Sequence, residues 1–163
     1  MPGSFDTHLK RGHVVTFGLL VFFSLIEWAI AASLIQDFSS EFPRSNSVRD
    51  KVCFLLFVGL WTFVFSFVYI FGFLKATTSF AFSIASHAVW IFITWVFWLA
   101  GAAAITAALG TNWNRGHEDT LYALEAFAWI NWIIITIMLF VVLFTGWRSA
   151  RGGNGFGGAM VDV

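Results

Sequence analysis

Charge is scarce in this sequence. Of its 163 residues, 11% are Asp, Glu, Lys or Arg, against about a quarter in soluble domains. The nine basic and nine acidic side chains cancel at neutral pH, so no basic balance points to nucleic acid. Cysteine is scarcer still. Cys53 is the only one, which excludes a disulfide within the chain and leaves the redox compartment unspecified. Of the two prolines, Pro2 follows Met1 where a myristoylation signal needs Gly, and Pro43 breaks a polar loop. His8, His13, His87 and His117 supply no ligand-spaced pair on one helix, so no metal site is assigned. A glycine-rich phosphate loop and a nucleophile elbow are also missing. No catalytic residue and no cofactor follow from these residues, and an enzyme is not expected.

Apolar bulk takes the place of charge. The chain is 59% apolar, with 21 Phe and nine Trp, more than a soluble core of this size would hold. This composition indicates an all-α integral membrane protein, a four-helix bundle with short loops. Residues 1–13 form a polar N-terminal arm ending near Lys10 and Arg11. The membrane domain covers 14–147, with helices expected at about 14–35, 52–74, 80–109 and 121–147. Residues 148–163 form a glycine-rich flexible tail. The rival for the first span is a signal peptide cleaved after Ala29-Ile30-Ala31. The apolar run is longer than a usual signal core, and a retained membrane helix is expected.

The connection Lys75–Ser79 is so short that the second and third helices must be antiparallel neighbours. Four spans put both termini on one side. With the termini inside, Lys10, Arg11, Lys75, Arg148 and Arg151 lie inside, and Arg44, Arg49, Lys51 and Arg115 outside. The positive-inside rule then favours cytoplasmic termini. Neither outer loop carries an Asn-x-Ser/Thr acceptor that would check this.

Two acids, Glu27 and Glu125, and one histidine, His87, lie within apolar segments. A carboxylate in hydrocarbon is costly, and such residues commonly are paired, neutral or face a wet cavity. One reading is a proton or cation path, or a polar site between the first and fourth helices. The other is structural, a neutral acid hydrogen-bonded to a neighbouring helix, with Glu125 reaching the interface. No span contains Lys or Arg to pair with either acid. His87, near the start of its span, reads as an interfacial or packing residue, with titration near neutral pH as the functional alternative. Cys53 reads as a small apolar residue.

The third span has two halves, aromatic then small. Ala100, Ala103, Ala104, Ala107 and Ala108 share one helical face, and Trp95 and Trp98 point roughly the other way. An alanine face lets another helix approach closely, which is how helices associate in lipid. It serves either packing within the bundle or an oligomer contact. Trp113 and Trp147 suit the interfaces, while Trp95, Trp98, Trp129 and Trp132 lie deeper as lipid or packing contacts. The tryptophans read as belts and bulk packing or as a pigment or sterol site, and no cofactor beyond ordered lipids or a sterol is expected.

The run Trp95-Val96-Phe97-Trp98-Leu99-Ala100-Gly101-Ala102-Ala103, with Ala123-Leu124-Glu125-Ala126-Phe127-Ala128-Trp129-Ile130 in the fourth span, resembles MARVEL-domain proteins, in particular the small four-span type. The resemblance covers roughly residues 10–147. It implies cytoplasmic termini, no catalytic residues, self-association, and a role in vesicle traffic, membrane apposition or lateral lipid domains. The chain departs from the family in Glu27, which stands in a span that is usually apolar. It departs also in lacking the outer-loop cysteines of many members, so no loop disulfide is implied.

The expected function is therefore a non-enzymatic membrane protein that self-associates and organises or curves the bilayer, at the plasma membrane or on vesicles. Its partners are lipids and further copies of itself. The alternative is a small proton or cation channel using Glu27 and Glu125. A third possibility is a chaperone or subunit of a larger membrane complex, with the glycine-rich tail as a tether.

Overall fold

A computed structural model describes residues 4–41, 46–74, 84–110 and 118–151, with side chains placed over 15–38, 47–71, 86–110 and 119–147. Four helices account for them: α1 Ser4–Glu41, α2 Asn46–Leu74, α3 Ile84–Leu109 and α4 Glu118–Arg151. Each contains a stretch long and apolar enough to cross a membrane: Val15–Phe38, Ser47–Phe71, Ser86–Leu109 and Asp119–Trp147. The fold is an all-α membrane-spanning bundle. Trp113, most of the connecting loops and the tail beyond Arg151 lie outside the described residues.

The helices outrun the apolar segments. α1 begins at Ser4 rather than Val14 and continues through Gln36 to Glu41. α2 begins at Asn46 rather than Val52, and α4 runs from Glu118 to Arg151 rather than from Leu121 to Trp147. Hydropathy marks where a helix leaves hydrocarbon, whereas proline, glycine and caps mark where it stops. Pro43 lies outside the described residues. At the far end of α3, the Gly110 N–H donates to the Thr106 carbonyl at 3.1 Å, so glycine follows the last helical residue. The third helix is described from Ile84; the segment from Phe80 to Phe82 lies outside the described residues.

Each helix packs on its sequence neighbour, and α4 closes the ring on α1. Neighbours run antiparallel. Phe17 meets Tyr69 while Glu27 meets Gly59 across α1 and α2. Tyr69 meets His87 while Trp61 reaches Thr94 across α2 and α3. Trp95 reaches Thr136 while Thr106 reaches Glu125 across α3 and α4. The bundle therefore has a His87 end, near Phe17 and Tyr69, and a Leu34 end, near Val48 and Leu121.

Burial repeats every three or four residues, the period of a helix with one face turned inward. On α1 the buried series is Phe17, Leu20, Ser24, Glu27, Ala31 and Leu34. On α3 it is His87, Ile91, Thr94, Trp98, Ala102, Ile105 and Ala108. The outward faces carry Phe22, Phe71, Phe92, Ile137 and Phe140, all exposed. Water would penalise such a surface, but lipid tails are as apolar as these side chains. The hydrophobic effect therefore drives insertion. Packing and hydrogen bonds between helices must then select the bundle.

Candidate functional site

Those hydrogen bonds come mainly from tryptophan. Four indole N–H groups donate to threonine hydroxyls on a neighbouring helix. Trp61 of α2 reaches Thr94 of α3 at 3.2 Å, and Trp98 of α3 reaches back to Thr62 of α2 at 3.0 Å. Trp95 of α3 reaches Thr136 of α4 at 2.8 Å, and Trp129 of α4 reaches back to Thr106 of α3 at 3.1 Å. Threonine suits this position because its hydroxyl also donates. Thr94 bonds the Trp90 carbonyl one turn back, and Thr136 does the same to Trp132. The hydroxyl is thereby held with a lone pair facing the indole. Helix α3 is the hub of both reciprocal pairs and is the most enclosed of the four spans.

Glu27 is fully buried. Its carboxyl lies against Gly59 of α2, so closely that a Cβ added there would collide with Oε2. The same Cβ would sit 3.3 Å from the Ser24 carbonyl and 3.3 Å from Trp28 Cβ. Gly59 is thus the notch that lets α1 and α2 close around a carboxyl group. Neither oxygen of Glu27 has a hydrogen-bond partner among the described residues.

Glu125 is held differently. It is half-buried on α4 and accepts a 2.5 Å bond from the Thr106 hydroxyl, which also receives the Trp129 indole. The two acids face different helices, Glu27 toward α2 and Glu125 toward α3. The structure does not assemble them into a site between α1 and α4.

His87, at the start of the third candidate span, is buried. Its ring lies among Phe17, Tyr69 and Trp90, with centroid separations of 5.4, 4.6 and 6.1 Å. The Tyr69 contact is edge-on. Three helices meet at this aromatic knot and fix the His87 end of the bundle.

The remaining buried polar side chains are Ser24, Thr62, Ser66, Thr94, Asn131 and Thr145. Ser24 and Thr145 bond backbone carbonyls three residues back on their own helices, and Asn131 bonds the Phe127 carbonyl. No group of three His, Cys, Asp or Glu side chains that could hold a metal occurs among the described residues. Cys53 is exposed and free.

A family model described as the MARVEL membrane-associating domain matches residues 8–141. The chain belongs to the MARVEL family. Comparison with curated proteins and with solved structures returned no match. The MARVEL domain is of a membrane-associating, non-catalytic type.

In this MARVEL domain the alanines of α3 divide. Ala108 is buried and Ala104 half-buried, whereas Ala100, Ala103 and Ala107 are exposed on the outer surface. The close approach inside the bundle is made instead by Gly101, whose added Cβ would lie 2.5 Å from Leu55 Cδ2. Of the tryptophans, Trp98 is fully buried, Trp95, Trp129 and Trp132 are half-buried in the α3–α4 seam, and Trp147 is exposed. Trp129 and Trp132 meet edge to face at 5.5 Å, and Trp95 lies 5.9 Å from Trp132.

The threonine partners and the two packing glycines were missed by sequence reasoning. A partial signal did exist, since Thr94 and Thr136 each stand four residues after a tryptophan, Trp90 and Trp132, whereas Thr106 has none within six residues. That spacing places both polar groups on the same part of a helix surface. It does not reveal which neighbouring helix receives them.

Proposed function

We propose that this MARVEL domain is a non-enzymatic scaffold that self-associates and thereby organises or curves the bilayer, in membrane domains or vesicle traffic. The observation that carries this reading is the outward stripe of Ala100, Ala103 and Ala107. These alanines follow i, i+3, i+7 spacing and therefore share a face. A second copy could approach the α3 backbone there without displacing bulky side chains, and close backbone approach is the main source of helix association in lipid. The nearly continuous apolar exterior supports residence among lipids. The half-buried tryptophans of the α3–α4 seam offer flat surfaces for acyl chains or sterol rings. A plasma-membrane or vesicle location with cytoplasmic termini completes the proposal.

The test is subunit counting in sparsely loaded phosphatidylcholine vesicles by stepwise photobleaching. Wild type is expected to bleach in several steps. Ala103→Phe and Ala107→Phe should bleach in one step while melting at the wild-type temperature. Single-step bleaching of the wild type would refute self-association.

A further inference from the structure

Away from the helix ends, one described carboxyl group stands on the outer side of the bundle. Asp37, Asp50 and Asp119 lie within three residues of the end of a span, and Glu27 is enclosed. Glu125 is half-buried and stands six residues inside its span, which begins at Asp119. That span has 29 residues, roughly 43 Å against a hydrocarbon thickness of about 30 Å, so a centred span puts Glu125 just inside the hydrocarbon edge. Thr106 of α3 reaches the same level, three residues short of Leu109.

Local bonding holds this carboxyl in place without neutralising it. The exposed Thr106 hydroxyl donates its one proton to Glu125 Oε1 at 2.5 Å and accepts the Trp129 indole N–H at 3.1 Å. Glu125 is thereby tied to the α3–α4 seam instead of reaching for the membrane surface. Oε2 is left as an acceptor, and no basic side chain bonds it among the described residues. An acid at this depth is costly without a partner. Space for a partner is present. Ala103 and Gly110 are exposed one turn to either side of Thr106, and Ala126 is exposed beside Glu125, so a helix can approach without displacing bulky side chains.

We propose that Glu125 anchors the transmembrane helix of another protein, one that carries Lys or Arg about one to two turns inside its end. Charge complementarity selects this occupant. An ammonium or guanidinium donates to Oε2 and balances the carboxylate, while the Trp129 ring, fixed through its N–H to the same threonine, gives the cation an aromatic neighbour. A second copy fits less well. The basic side chains it brings to this level are Arg49 and Lys51 of α2. Arg49 stands beside the exposed acid Asp50. Lys51 is half-buried on the line of Phe54, which packs on Phe97 and near Gly101 of its own α3. A lipid fits less well too, because cationic headgroups lie outside the hydrocarbon edge. This inference does not rest on self-association.

Energy transfer between the labelled full chain and synthetic single-span peptides in phosphatidylcholine vesicles tests it. One polyleucine peptide carries Lys one turn inside each end, and a second carries Met at the same places. Wild type should bind the Lys peptide about tenfold more tightly than the Met peptide. Glu125→Gln should erase that preference, and Glu27→Gln should leave it intact. Subunit counts by stepwise photobleaching should be the same in Glu125→Gln and wild type. Equal binding of the two peptides by the wild type, a comparison that needs no variant to fold, would overturn the proposal. So would an undiminished preference in Glu125→Gln, or a lower subunit count there, which would assign the acid to contacts between copies. Single-step bleaching of the wild type with the Lys preference intact would refute self-association alone.

Discussion

Glu27 and Gly59 form one unit across two helices, because the carboxyl occupies the space a Cβ would fill. Gly59→Ala should therefore cost about 1–3 kcal/mol of stability, the usual penalty for overpacking. Glu27→Ala in the same chain should recover most of that loss, and a double-mutant cycle on thermal unfolding in detergent reads the coupling. Additive losses would mean that the notch serves something other than the carboxyl. The Trp98–Thr62 bond gives a second cycle. Trp98→Phe and Thr62→Val should each destabilise, with a coupling of about 0.6–2 kcal/mol, the range found for bonds between membrane helices. At this scale the sequence was half legible. An acid without a cation in an apolar span announces itself, but the glycine that accommodates it stands 32 positions away. A single sequence gives no sign that the two are partners.

Helices read more plainly than side-chain pairs. Four apolar segments separated by polar loops can form only spanning helices, since backbone groups in hydrocarbon must be satisfied within the segment. Their ends were less legible. Polar residues such as Gln36 and Arg49 lie inside helices, where polarity marks the membrane boundary rather than the end of the helix. The faces of α3 were ambiguous for a related reason. Alanines are compatible with a neighbour on either side, and only the placement of Trp98 and Gly101 shows which side is inward. Two substitutions on this helix should thus diverge. Gly101→Val pushes into Leu55 and should lower stability by about 1–3 kcal/mol. Ala103→Val faces outward and should stay within about 0.5 kcal/mol. Equal losses in chemical unfolding would show that the two faces are packed alike.

The whole molecule is a MARVEL bundle with an apolar exterior, a hydrogen-bonded hub on α3 and an interior polar at one end only. The surface alanines gain a purpose when a second copy covers them, and repeated contacts of that kind would impose a preferred spacing and curvature on the membrane. Electron imaging of the protein reconstituted at high density tests this most directly. Wild type is expected to form ordered arrays, tubes or uniformly small vesicles, and Ala103→Phe to abolish them. Dispersed particles in vesicles indistinguishable from protein-free ones would contradict the scaffold reading.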